Sequence, residues 1–368
     1  MKKSLLISLL LGLHLMVFPQ LDNIDFLRGG INDANSLFQG YLTPVANILG
    51  ANLNAGWYNT AKPHKLGGFD ITITTNVALA PPSDKLFNLD DLPLISDASI
   101  IGGNTSPTIT GDKTDDRPKI EYTKDVPGFG PVKYAEYTLP NGTGFNFVPL
   151  PMVQVGIGLP FGTEVTGRFL PSIDLGTTGN IGLWGIGIKH SILQHIPVLK
   201  KIPFLDITAQ GAYTKLNSYA NIDYSPLDIV ADANHDYVND PDVWLDQKIE
   251  LGVTAWTANL LVSETFPVIS FYQGIGYSTS KVNLGVTGNF PFPSIETDNT
   301  SPYYGDPVVQ NNSTEGIIKD PIDLDMQNNK ALRLNAGLRL KLGVLTIHFD
   351  YTKAKYTVLT AGLGISFR

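Results

Sequence analysis

The chain reads as all-β: a transmembrane antiparallel β-barrel of 12–14 strands with an N-terminal, partly helical hatch segment. Three observations carry this. Apolar and polar residues alternate over segments close to ten residues long. Charged residues make up only 16% of 368 residues, while Gly counts 36. Past the first twenty residues there is no apolar run of the roughly 20 residues that a membrane-spanning helix needs, so strands are the remaining route through a bilayer. The expected organisation is a signal peptide over 1–20, a hatch or plug over 21–67 and the barrel over 68–368.

Lys2 and Lys3 precede a mostly apolar stretch from Leu5 to Phe18, the layout of a secretory signal. No small-x-small cleavage site follows; Val17-Phe18-Pro19-Gln20 stands there, and the mature start is placed near Gln20 or Leu21. Export, and with it residence in the outer membrane of a Gram-negative cell, is the expectation. An excess of Asp and Glu (34) over Lys and Arg (26) argues against nucleic acid as a partner. The absence of Cys excludes disulfides, thiol nucleophiles, zinc–thiolate sites and iron–sulfur clusters.

Residues 21–67 do not alternate. Asn32 or Asp33 is expected to cap a short helix through Tyr41, with Leu37 and Phe38 on its apolar face. Pro44 opens a second helix that stops at Gly50. A plug inside the lumen and a helical pair beneath the barrel are both readings of this stretch.

From Phe69 the period is two. FDITITTNVAL sets Phe69, Ile71, Ile73, Val77 and Leu79 against Asp70, Thr72, Thr74 and Asn76. The same pattern runs through 152–159, 247–261 (Ile249, Leu251, Val253, Ala255) and 281–290 (Val282, Leu284, Val286, Phe290). It is clearest in ALRLNAGLRLKL, in 345–351 and in the last strand, Leu359 to Phe367. In a barrel the apolar side meets lipid and the polar side lines the lumen; in a secreted sandwich the apolar side would be the core. Segments near ten residues and Gly-rich polar faces favour the barrel. Phe69, Trp184, Tyr213, Trp256, Tyr272, Tyr277, Phe290, Tyr351, Tyr356 and Phe367 are read as interfacial girdles. Strand pairs are expected at 151–159/163–171, 180–190/203–214 and 247–262/266–278, with 191–202 a periplasmic turn or helix capped by Ser191. Residues 80–150, 216–246 and 291–330 are external excursions, with possible strands at 118–124 and 132–139; even parity asks for one more spanning strand near 316–326.

The candidate inner-wall charges are Glu164, Arg168, Arg333, Arg339, Lys341, His348 and Asp350, all on polar faces. Arg333 and Arg339 stand six apart on one face, about 20 Å at 3.3 Å per residue. Such groups either anchor a plug, hold a ligand carboxylate, or fill the interior as ion pairs. Leu37, Phe38, Trp57, Tyr58 and Asn59 are the candidate ligand or hatch residues. No enzyme signature stands out, and the chain is read as non-enzymatic. His190 and His195 are five apart, which is not the zinc-protease spacing, and no Gly-x-Ser-x-Gly elbow occurs. Gly182-x-x-Gly185-x-Gly187 reverses the dinucleotide fingerprint and is read as strand glycines. Asp232-x-Asn234-x-Asp236 with Asp240 follows the start of a calcium loop, but Tyr237 and Val243 occupy the positions that need Gly and Glu. No cofactor or structural metal is expected.

Three stretches carry a resemblance: GANLNAGWYNTAKPHKLGGFDITITTNVA before and into the first strand, VGIGLPFGTEVTGRFLP, and LRLNAGLRLKLGVLTIHFDYT with LTAGLGISFR at the end. Their layout resembles the long-chain fatty-acid transporter (FadL-like) family of outer-membrane barrels, and more closely an uncharacterised outer-membrane barrel family of unknown function. The resemblance implies a 14-stranded barrel, a lumenal hatch near 21–66 and movement of hydrophobic, fatty-acid-like molecules. Tyr58-Asn59-Thr60-Ala61 stands near where that family has Asn-Pro-Ala-Gly. Phe367-Arg368 resembles the C-terminal aromatic signal read by barrel-insertion machinery, displaced by one residue. The expected partners are therefore outer-membrane lipids, that machinery and a hydrophobic small molecule. The alternative function is a non-transporting structural barrel acting through its external loops.

Overall fold

The structure, a computed structural model, describes residues 25–174, 179–222, 244–291, 293–309, 317–327 and 330–367. The signal segment 1–20 and the Asp232–Asp240 run lie outside the described residues.

Ten antiparallel strands close into a barrel. They are β1 (Phe69–Leu79), β2 (Phe147–Leu159), β3 (Thr163–Asp174), β4 (Gly179–Ser191), β5 (Leu205–Asn221), β6 (Lys248–Thr265), β7 (Ile269–Thr287), β8 (Ala331–Leu342), β9 (Leu345–Lys353) and β10 (Thr357–Phe367). Each pairs with its neighbour in sequence, and β10 closes onto β1 from Phe69↔Phe367 to Leu79↔Thr357. Closure leaves no unpaired strand edge in hydrocarbon. Both β1 and β10 meet the short-turn end, which is taken as periplasmic by the usual asymmetry of such barrels.

The strand count differs from the expected 12–14, for a traceable reason. Ile269–Thr287 is one 19-residue strand. The sequence reading cut it into 266–278 and 281–290, and the extra strand then demanded a partner near 316–326. The strand found there, Ile322–Gln327, has six residues and pairs only with the outer part of β7, from Lys281↔Gln327 to Val286↔Ile322. About nine residues are needed to cross. Strands Lys119–Val126 and Gly130–Thr138 do form, but they belong to an external cap with Ala98–Ile101. The 191–202 link holds two short 3-10 turns, Leu193–His195 and Leu199–Lys201, and Ser191 ends β4 without capping either.

Outward residues of the membrane belt are apolar: Ile186 and Ile188 on β4, Ile275 on β7, Leu334 on β8, Leu363 on β10. Trp184, Tyr213 and Trp256 cluster at the external edge, with ring centroids 5.5 and 4.6 Å apart. At the other edge Phe69 stacks on Phe367 at 5.2 Å and Phe204 faces Phe266 at 5.1 Å. Trp256 to Phe266 is ten steps, about 33 Å along the strand, or about 25 Å of height once a barrel's tilt is allowed for. Tyr272, Phe290 and Tyr356 are not girdle residues; each is buried.

The alternation at 247–255 and 281–290 has the opposite sense to the lipid-facing one. Ile249, Val253, Ala255, Val282, Leu284, Val286 and Phe290 are buried. These stretches rise past the aromatic edge, where Glu250 and Asn283 face water, and their apolar side covers a helix inside the barrel. That helix, α1 (Ile31–Asn54), runs unbroken through Pro44 and past Gly50. Two helices were expected. Proline removes one backbone bond and strains the turn before it, but Leu42, Val45, Ala46, Ile48 and Leu49 are all buried in the same core, and their burial outweighs the break. Gly30 precedes the first turn with no side-chain cap, so neither Asn32 nor Asp33 caps it.

Candidate functional site

The barrel interior has two floors. Leu37 and Phe38 lie on the outer one, in the core that α1 forms with the upper wall and the cap. Trp57, Tyr58 and Asn59 lie on the inner one, in the extended chain that leaves α1 and descends to β1. The structure therefore separates two groups that the sequence reading had placed together.

Between the floors is a latch. The last carbonyls of a helix have no partner in the helix and carry the negative end of its dipole. Here wall side chains supply the donors. Arg168 of β3 donates to the Leu53 carbonyl (3.1 Å) and the Ala55 carbonyl (2.9 Å). Arg333 of β8 donates to the Asn54 carbonyl, and to Thr257 at 3.2 Å. Asn76 of β1 donates to Asn52 (2.7 Å) and Ala55 (3.0 Å), and Thr214 of β5 to Leu53 (3.2 Å). Four strands thus grip one helix end. The Arg168 guanidinium also lies 3.9 Å from the Trp57 ring centroid, a cation–π contact in a dry site. Trp57 fits because β4 presents glycine: a Cβ at Gly185 or Gly187 would stand 3.0 Å from the indole. This accounts for Gly185 and Gly187 of the Gly182-x-x-Gly185-x-Gly187 run; Gly182 faces Ser172 instead. The chain then turns at Gly56, whose φ of 69° and a Cβ approach of 2.6 Å to Asn76 leave room for no side chain.

Lower down, Glu164 of β3 takes Lys189 of β4 at 3.0 Å and the His64 imidazole at 2.8 Å, and accepts the His64 backbone N–H at 2.9 Å. His64 reaches Ser366 of β10 at 3.1 Å. This pins the descending chain to three strands. Asp350 accepts from Tyr272 at 3.4 Å, and Tyr272 meets Tyr58 edge-on at 6.1 Å. His348 is buried with both ring nitrogens unpartnered, and Arg339 with Nε and Nη2 unpartnered. Lys341 is half-exposed at the periplasmic rim. Arg333 and Arg339 serve different groups: one the latch, the other the rim. His64, Lys189, Asn76 and Thr214 were missed. Lys189 and Asn76 stand on polar faces and were legible there; His64 sits in a segment with no period, where nothing marked it.

At the outer end the cap is tied to the helix twice. Asp33 accepts from the Ile95 N–H (2.9 Å) and the Tyr122 hydroxyl (3.0 Å). Asp84 accepts from the Tyr356 hydroxyl and pairs with Lys355 (3.4 Å), while Asn47 of α1 donates to Tyr356 (3.2 Å). Burial pushes the Asp33 carboxyl above its ordinary range, against the lowering effect of its two donors. Burial acts the same way on Asp84, but Tyr356, Ser83 and Lys355 together hold it below. The signs are opposite. Asp33 contributes most when protonated and loses that contribution as pH rises through its raised value. Asp84 contributes when ionised and loses it as pH falls through its lowered value. Acidification from neutral to about pH 3, below the ordinary carboxylate value near 3.9, is therefore expected to loosen the Asp84 tie and spare the Asp33 tie. Amide hydrogen exchange, corrected for intrinsic rates, should rise around residues 82–88 but not around 94–98, and Asp84→Asn should remove the response. Equal loosening at both ties would contradict this account.

A closed sheet, apolar outside and polar through the membrane belt, with its own N-terminal helix lying inside it, defines the class: a transmembrane β-barrel of the outer-membrane type. Within that class the chain belongs to the Family of unknown function (DUF6588), whose model matches residues 1–367. No curated protein matches the sequence. Among solved structures it is similar to the translocator domain of autotransporter NalP from Neisseria meningitidis (9% identity, 90% of this chain and 99% of that one, TM-score 0.33). It is also similar to the outer membrane protease OmpT from Escherichia coli (9%, 82% and 97%, 0.32) and to the toluene transporter TbuX of Ralstonia pickettii (10%, 84% and 91%, 0.23). At these scores the likenesses carry no argument about what this chain does.

Proposed function

We propose that this protein is an outer-membrane channel for small hydrophobic molecules, closed by its own N-terminal segment acting as a hatch. The observation that carries the reading is the manner of closure. The helix is held by side-chain hydrogen bonds to the wall at its inner end, by those of Asp33 and Asn47 towards its outer end and by apolar contact along its length, whereas the ten strands pair with one another. It can leave without breaking the sheet. Its departure would bare Val253, Ala255, Val282, Leu284 and Val286 on the upper wall, an apolar lining suited to a greasy cargo. Leu37, Phe38, Trp57, Tyr58 and Asn59 are the hatch or ligand residues in this reading, and a fatty-acid-like cargo follows from the family resemblance alone.

The test is uptake of a hydrophobic fluorescent probe into proteoliposomes carrying either the whole protein or a form lacking residues 25–54. Uptake above that of empty liposomes is expected, and at least tenfold faster uptake without the helix. If neither form passes the probe, transport is rejected. The barrel would then act through loops 80–150, 216–246 and 291–330, and deleting those loops, not Trp57→Ala, would abolish its cellular phenotype.

A further inference from the structure

At the periplasmic mouth the descending chain and the strand ends enclose a cavity of about 410 Å³. Lys62, Lys65, Arg339 and Lys341 line it, with His64, and no Asp or Glu does. Phe204 and Phe266, their rings 5.1 Å apart, form one wall with Pro63 and Pro267. Three carboxylates stand nearby but outside the lining, Asp70 and Glu164 within electrostatic reach of Arg339 and Asp206 of Lys62, and each has a donor of its own. Glu164 is taken by Lys189 and His64, and Asp206 stands behind Thr265, which donates to it at 3.2 Å. Asp70 accepts from Thr72 at 3.4 Å. Arg339 is 7% exposed, and its Nε and Nη2 have no acceptor. A buried guanidinium with two nitrogens lacking an acceptor is costly. Four cations gathered around one cavity repel one another unless an anion joins them.

We infer that this cavity is an oxyanion site, and that it takes a phosphate group. A planar fork flanked by ammonium groups matches phosphate oxygens, and a doubly charged anion offsets four cations better than a single charge. The phenylalanine wall gives an attached apolar tail a place to lie. The site stands whether the inner helix gates a passage or only fills the barrel, because every lining residue belongs to the descending chain or the rim.

The experiment is calorimetric titration of the full-length protein in a neutral detergent with inorganic phosphate, octyl phosphate and octanol. Both phosphates should bind and compete, octanol should not, and affinity should fall with added salt. Arg339→Gln should weaken phosphate binding about tenfold or more, the scale of a lost charge-assisted hydrogen bond. Lys62→Gln alters an exposed side chain, leaves folding intact, and should weaken binding a few-fold. Octyl phosphate binding more tightly than phosphate assigns the site to the head of an amphiphile; equal affinities assign it to free phosphate. The inference is overturned if neither phosphate binds the unaltered protein, or if Lys62→Gln and Lys341→Gln both leave the affinity unchanged.

Discussion

Replacing Arg168 and Arg333 together by methionine is expected to open the barrel. The two guanidinium groups donate to three consecutive carbonyls, Leu53, Asn54 and Ala55, at the negative end of α1. Hydrogen bonds to charged groups contribute about 1.5–3 kcal/mol each. Even after partial compensation by Asn76 and Thr214, the closed state should lose about 3 kcal/mol. At about 1.4 kcal/mol per tenfold, the ratio of closed to displaced helix falls about a hundredfold. Conductance in planar bilayers should rise in steps that the unaltered protein shows rarely. Arg168→Lys should give a smaller effect, because an ammonium is a point donor and does not reproduce the fork that spans Leu53 and Ala55. A folded double variant with unchanged conductance would mean that the helix end is not what blocks the lumen.

Leu284→Ala should free the helix at its outer end, and Leu363→Ala should not. Both residues occupy apolar positions of alternating strands, and the pattern alone assigns both to lipid. In the fold Leu284 is 2% exposed against α1, while Leu363 is 57% exposed on the outer face. Truncating a buried leucine costs about 2–5 kcal/mol, part of it for the cavity left behind. Lipid chains close over a gap on the outer face, so that part is absent for Leu363. The chain has no cysteine, so Ala34→Cys, buried near the start of α1, reports on the helix. Its labelling by a membrane-impermeant maleimide on intact cells should accelerate at least tenfold with Leu284→Ala and stay unchanged with Leu363→Ala. The reverse outcome would restore the lipid-facing assignment of 281–290 and remove the upper core.

Most of the barrel wall was legible in local pattern. FDITITTNVAL, ALRLNAGLRLKL and the closing strand place each side chain where the period says, because a strand's faces alternate whatever the rest of the chain does. Arg168, Arg333, Arg339, His348 and Asp350 face inward for the same reason. The latch was not legible. Which guanidinium meets a helix end and which stays unpartnered depends on how far α1 descends, and that depth is set by contacts between residues a hundred or more apart, such as Arg168 with Leu53 and Arg333 with Asn54.

Alternation over segments near ten residues, low charge and the lack of a 20-residue apolar run past residue 20 favoured a closed sheet in a membrane over a secreted sandwich, since strands that cross hydrocarbon must pair every backbone group. Period two, however, states only that two faces differ. Where the wall rises past the lipid, the solvents on its two sides change places, water outside and an apolar helix within, and the same pattern at Val282 and Leu284 takes the opposite meaning. Only the tertiary structure, by setting the height of each strand against the membrane and against α1, decided which face was which, how many strands closed the wall, and which charges were left to bind something else.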